Sequence, residues 1–432
     1  MGRANTCKQG AGEPLILPQF PVSGEEAGRL PGDSALRQLP EAYSTPVCDI
    51  LVMPSTRRTF LTQAAQAVVA TPFLKQFGWP APAAGRAATP FPFVDGLTFM
   101  GPPEELAASG LSAFLLDVSA PEPIKTTDGS IKYFRSYAAC MKSLTDMRRA
   151  LGAGEMGGAF QATKAHDVAD AYRTGRTAVF FQFQGCEPIG DQLDRLQEFY
   201  DLGLRVLQIT HHNNNAWGGG AIEPTWSGLR KVGFAGVERM NTLGIIPDLS
   251  HVADPTARDV LRTSKKPVIV SHGAARALVN NARCTPDDVI KGVADSGGAM
   301  GIFMMTFWLT NDAVPTIDAY VRQIRHVIKV GGINAVGIAN DYPVGGEANA
   351  RSVGNDNAKA IAAYLDWWDY VAKQGVLGFD RRPTHVVIPE LNNPRRAFTI
   401  AAALDRAGFA TGEIEKIMGG NWTRVLTDSL GS

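Results

Sequence analysis

The sequence has no excess of charge of either sign. Its 42 Lys and Arg residues match 42 Asp and Glu residues over 432 positions. Nucleic acid and anionic membrane surfaces are recognised by clustered positive charge, so this balance excludes them as partners and leaves a small molecule as the default ligand. Cysteine is also scarce. The five cysteines, at positions 7, 48, 140, 186 and 284, form no CxxC pair and no regular spacing, which excludes a zinc ribbon and a disulfide framework. No apolar run approaches the ~20 residues of a membrane helix, which excludes an integral segment of that kind from the mature chain. No Gly-x-Gly-x-x-Gly follows the first expected strand, so a dinucleotide site is not indicated.

What is present is a chain 45% hydrophobic and 19% charged, enough to bury a large core. Near the N-terminus, Ser55-Thr56-Arg57-Arg58-Thr59-Phe60-Leu61 precedes a mildly apolar stretch from Ala64 to Leu74, then Lys75 and Ala81-Pro82-Ala83. This resembles a twin-arginine export signal and implies a periplasmic or otherwise exported protein, the plainer alternative being an ordinary basic helix start. The signal places the start at Met53 and the end of the leader near Ala83. Residues 1–52, rich in Pro, Gly and Glu, then read as an upstream mistranslation or a disordered extension. Residues 84–432 are expected to form one domain.

From Leu111 onward, β-branched and aromatic runs alternate with helical periodicity, the pattern of βα units around a parallel sheet. Strands are expected at 113–117, 178–184, 205–210, 245–249, 268–271, 299–304, 335–339 and 385–389. Helices are expected at 136–151, 165–174, 192–202, 233–243, 255–263, 316–330, 356–374 and 395–407. Eight strands with intervening helices predict a (β/α)8 TIM barrel, whose functional residues sit at the C-terminal ends of strands.

Asp117, Gln184, His211, His251, His272 and Asp341 all end apolar runs. His251 and His272 belong to consecutive strands, so their imidazoles converge at the pocket mouth and can hold a divalent metal through neutral nitrogen. Asp341 is a candidate ligand or proton acceptor. His211 opens the polar loop His211-His212-Asn213-Asn214-Asn215, a candidate substrate-recognition element with Asn214 among its donors. Arg283 can clamp a carboxylate or fix the following helix start. His166, His326 and His385 read as ordinary capping or core histidines.

At these residues the chain resembles the membrane (renal) dipeptidases, the M19 zinc peptidases. The resemblance rests on the block from Gly236 to His251, on Val268-Ile269-Val270-Ser271-His272-Gly273, on the Arg283–Asp288 segment, on Gly203–His211 and on Gly419-Gly420-Asn421-Trp422. It implies a metal-dependent hydrolase that cleaves a dipeptide or related amide with a metal-activated water. The family holds two zinc ions by a His-x-Asp pair after the first strand, a bridging Glu after the second, and two later histidines.

Carried over by position, His251 and His272 bind the second metal. His211 and Arg283 grip the substrate, and Asp341 moves protons or binds substrate. The first-metal motif Asp-x-His-x-Asp is matched to Asp117-Val118-Ser119-Ala120-Pro121, which lacks both ligands, and the bridging Glu to Gln184, which lacks the charge. One zinc ion or none is therefore implied, with Gln184, Asp117 and Glu187 as weaker candidate ligands. Two other functions stay open: a barrel that binds a peptide or amino-acid-like ligand, and one that performs other chemistry on an exported peptide. A homodimer is compatible with such a barrel, but no residue marks its face.

Overall fold

The computed structural model describes residues 89–125 and 131–431. The twin-arginine segment, residues 1–52, Cys7 and Cys48 lie outside the described residues.

Eight short parallel strands form the centre: β1 (Phe93–Asp95), β2 (Leu111–Asp117), β3 (Thr177–Gln184), β4 (Leu204–Gln208), β5 (Ile246–Asp248), β6 (Val270–Gly273), β7 (Met300–Ile302) and β8 (Val336–Ile338). Pairing runs in order from β5 through β4, β3, β2, β1, β8 and β7 to β6. An Asp248–Ile269 bridge joins the two ends, with Leu249 N donating to Ile269 O at 2.8 Å. The sheet is thus closed, and no edge is left to pair elsewhere. A ninth strand, Ala159–Ala162, pairs with β3 outside this ring, and Glu122–Lys125 pairs antiparallel with Ile131–Phe134 in a hairpin after β2. The expected (β/α)8 barrel is the observed architecture.

The helices follow the expected ranges to within a few residues. At Tyr137–Gly152, Ser136 Oγ caps the start by accepting from Ala139 N, and Asp254–Thr263 and Ile317–Gly331 bury one apolar stripe each. The expected helix 356–374 is divided into Asn357–Ala360 and Ala362–Lys373.

One strand assignment is corrected. The run 385–389 is apolar and buried, but it makes a single bridge, Val387 to Met305, before a 3-10 turn at Pro389–Leu391. Burial without a strand partner produced a strand-like composition there. The missing eighth strand is Phe93–Asp95, whose three residues are too few to show a period. Its pairing with β2 and β8 makes it the first strand of the barrel.

Two features set the position of the pocket. Trp422 packs against β7 and β8, its Nε1 donating to Ile338 O at 3.0 Å. Gly301 and Gly337 leave the room for that ring, since a Cβ at Gly337 would lie 2.3 Å from Trp422 Nε1. At the C-terminal ends of the strands stand Gln184, Asp117, His251, His272 and Asp341.

Candidate functional site

His272 is completely buried on β6, and His251 lies just beyond β5, with φ at +64°. Asp341 also takes positive φ, +58°. Such backbone is costly for residues other than glycine and tends to persist where a side chain has to be aimed, as both are here.

The two Nε2 atoms of His251 and His272 stand 2.7 Å apart. Their proton positions follow from their neighbours. Asp248 accepts from Ser250 N, Ser250 Oγ, Ser271 N, Ser271 Oγ and Gln182 Nε2 at 2.6–3.0 Å. Because the Ser271 hydroxyl donates to Asp248, it accepts from His272 Nδ1 at 2.8 Å, which leaves the His272 Nε2 lone pair facing His251. Arg283 Nη2, which can only donate, lies 2.9 Å from His251 Nε2 and assigns a lone pair there too. His251 then carries its proton on Nδ1 and donates to His212 Nδ1 at 3.2 Å.

His211 stacks on His251, with centroids 4.5 Å apart and planes at 26°, and packs edge-on against His212. All four imidazoles are pushed well below the usual histidine range. Burial is the leading cause in each, and the Arg283 guanidinium adds to all four. They are neutral at physiological pH, the form that ligates metal. His211, His212 and His251 form one group whose nitrogens could share an ion.

Asp341 Oδ2 lies 3.9 Å from His272 Nε2. Burial raises its carboxyl to about 7, with Arg283 opposing. Arg283 is itself buried. It donates to His272 O at 3.3 Å, its guanidinium lies over the rings of Phe303 and Trp308, and its Nε has no hydrogen-bond partner. Burial lowers it to about 10, so it remains charged.

Not every expected residue joins this centre. Asn214 serves its own loop, its Oδ1 accepting from Gly220 N at 3.1 Å and its N donating to Glu223 Oε1 at 2.8 Å. Asp117 accepts from Ser119 and from Gln184 N, and among the described residues neither it nor Glu187 forms an ion pair with a histidine. His166, His326 and His385 lie elsewhere, the last two bonded to Asp287 and to Asp312 O. Cys140, Cys186 and Cys284 are free and buried.

The new first strand also moves the position of the first-metal pair. The residues after β1 read Asp95-Gly96-Leu97-Thr98-Phe99, so Asp-x-His-x-Asp falls on Asp95, Leu97 and Phe99 rather than on Asp117, Ser119 and Pro121. Leu97 is fully buried and Phe99 packs against the core. Both places are apolar, so the residues matched to the first-metal pair become Leu97 and Phe99.

Sequence reasoning gave no role to Asp248 or Gln182, and named His212 only as part of the polar loop after His211. The doubled histidine after β4 and the Asp-x-Ser-His spacing after β5 were their only signals. Gln182 is a polar residue inside an apolar strand, two positions before Gln184.

The family model described as membrane dipeptidase (peptidase family M19) matches residues 146–367. The dipeptidase tcpJ of Claviceps purpurea is 30% identical over 273 residues, 62% of this chain and 54% of that protein. The chain thus spans about half the length of that curated relative. An amidohydrolase of Pseudomonas aeruginosa superposes with a TM-score of 0.64 at 26% identity, covering 79% of this chain and 97% of that one. A metallopeptidase of Rhodobacter sphaeroides, solved with a phosphinate mimic of L-Ala-D-Ala, has the same fold at a TM-score of 0.62 and 18% identity, covering 78% and 99%.

Proposed function

This chain belongs to the membrane dipeptidase family, peptidase M19, and on that premise we propose that it hydrolyses a dipeptide or related small amide beside His251 and His272, using one zinc ion. The carrying observation is the pair of lone pairs that face each other across 2.7 Å. Two imidazole acceptors at that distance repel unless a cation lies beside them, a place that Arg283 Nη2 holds at 2.9 Å from His251 Nε2 and that a zinc ion would take. Their other nitrogens are already satisfied by Ser271–Asp248 and by His212, the outer hydrogen bonding that orients metal-ligating histidines.

The same residues do not fit two ions. Two dications ~3.5–4 Å apart need a charged bridge and a second ligand set. Gln184 offers a neutral amide, and Leu97 and Phe99 offer nothing.

A bound zinc ion would acidify water and polarise the scissile carbonyl. The side chains supply the rest. Asp341, with a carboxyl near 7, is the proton acceptor in reach of the centre. Arg283 forms no ion pair among the described residues and presents a buried fork suited to the substrate carboxylate. His211, stacked on His251, is placed to donate to an oxyanion.

A second reading also has support. Arg283 lies within hydrogen-bond distance of the nitrogen that would ligate the metal, which favours a barrel that binds a peptide or amino-acid-like ligand without hydrolysing it. Zinc analysis and dipeptide hydrolysis on wild type and His251→Ala separate the two. The hydrolase reading predicts one zinc per chain and turnover, both lost in the variant. Absence of metal and turnover in wild type under every divalent ion tried would leave the binding reading.

A further inference from the structure

β1 and β8 end at Asp95 and Ile338, but the chain segments that leave them stay bonded to each other beyond the strand ends. One segment is Gly96–Phe99, on which the first-metal motif falls. The other is Asn340–Val344, which carries Asp341. Asp95 Oδ1 accepts from Leu97 N at 3.1 Å and from Asn340 N at 3.0 Å, and Asp95 Oδ2 accepts from Asn340 Nδ2. Asp341 N donates to Leu97 O at 2.8 Å. Further on, Tyr342 O accepts from Thr98 Oγ1 at 2.7 Å and from Phe99 N at 3.3 Å, and Val344 N donates to Phe99 O at 3.0 Å.

The same segment is held a second time by Arg396, a buried residue that opens the helix Arg396–Arg406. Its Nη2 donates to Pro343 O at 2.6 Å and to Val344 O at 2.7 Å, while its Nε is fixed on Asn393 O at 3.1 Å. Asp341 sits between these anchors with φ at +58°. Left-handed backbone is costly for an aspartate and persists only where its surroundings over-determine it. Among the described residues no hydrogen bond reaches the Asp341 carboxyl, so its backbone is what aims Oδ2 to within 3.9 Å of His272 Nε2.

We infer that Asp95 and Arg396 are positioning residues for Asp341: they anchor the chain before and after it and hold the left-handed backbone that turns its carboxyl to the histidines. The segment that offers no first-metal ligands at Leu97 and Phe99 is on this account the support of the proton acceptor. The inference rests on the reading of Asp341 as that acceptor, but its geometry can be tested without turnover.

The test is kinetic and structural. Asp95→Ala in the zinc-saturated chain is expected to lower kcat by about 10–100-fold with KM changed by less than about twofold, because a carboxyl displaced by about 1 Å loses its reach while the substrate contacts stay. In the Asp341→Asn background the same substitution should leave kcat unchanged, since the residue it acts through is already disabled. Arg396→Met should repeat this pattern. Arg396→Lys, which can still donate to Pro343 O and Val344 O, should recover most of the loss.

An equal fall of kcat in both backgrounds would mean a general structural role and overturn the proposal, as would an unchanged kcat in folded Asp95→Ala. Should Asp95→Ala fail to fold, the Arg396 variants decide it in the same way. Should wild type show no turnover, the hydrolase reading fails and crystal structures of wild type and Arg396→Met decide this one. The variant is expected to lose the positive φ at residue 341 and the approach of its carboxyl to His272. Retention of both would overturn the inference.

Discussion

At the residue scale, the pocket depends on carboxyls whose surroundings differ. Asp248 is surrounded by five donors and orients His272 through Ser271, whereas Asp341 makes no comparable set of bonds and is raised to about 7. Only the second can take up and release a proton near neutrality. Hydrolysis is therefore expected to rise with pH to a plateau above about 7, and Asp341→Asn should lower kcat by about 10²–10⁴-fold and abolish that limb, as a pH–rate profile would show. Stability should move the other way. A carboxyl raised in the folded state from 3.8 to about 7 favours folding below its unfolded value, and that contribution is lost as pH rises through about 7. Asp341→Asn removes this loss, so its melting temperature should exceed that of wild type at pH 8 and the difference should shrink towards pH 4. At ~1.4 kcal/mol per pKa unit, the gain at pH 8 is at most about 4 kcal/mol. A variant no more stable than wild type at pH 8 would count against a buried, neutral-range carboxyl.

At the scale of elements, three-residue strands leave little of the barrel to local propensity, and closure depends on what packs around them. Trp422, from the helix Asn421–Leu430, is one such support: it lies against β7 and β8 and bonds Ile338 O. Gly337→Ala would drive a methyl into the indole and is expected to cost about 1–3 kcal/mol, read as a lower urea or thermal midpoint. Because β8 leads directly to Asn340 and Asp341, the same variant should lower kcat more than a surface substitution of equal stability cost. An unchanged midpoint would mean that the ring can move aside freely. Strand β1 carries the other lesson at this scale. Recognising three residues as a strand moved the first-metal position from Asp117–Pro121 to Asp95–Phe99.

At the scale of the molecule, the closed ring of strands brings together residues that lie more than a hundred positions apart. Among the described residues no helix is long and apolar enough to cross a membrane. Export remains our proposal, carried by Arg57-Arg58 and the stretch that follows. Replacing both arginines by lysine should retain the chain in the cytoplasm of a host with a twin-arginine pathway, as fractionation would show. Equal export of the variant would remove the twin-arginine assignment while leaving the pocket untouched.

The sequence alone determined the βα alternation, seven of the eight barrel strands, and the two histidines that end consecutive strands, because periodicity and strand-end polarity are local signals. It also matched the first-metal motif to Asp117–Pro121, whereas the strand order puts that motif on Asp95–Phe99. The tertiary structure decided the rest. Phe93–Asp95 is a strand only because β2 and β8 lie beside it, and the buried run 385–389 is not one because it has a single bridge. His212 and Asp248 gain their roles from imidazole nitrogens and hydroxyls that approach within hydrogen-bond distance only when the barrel closes.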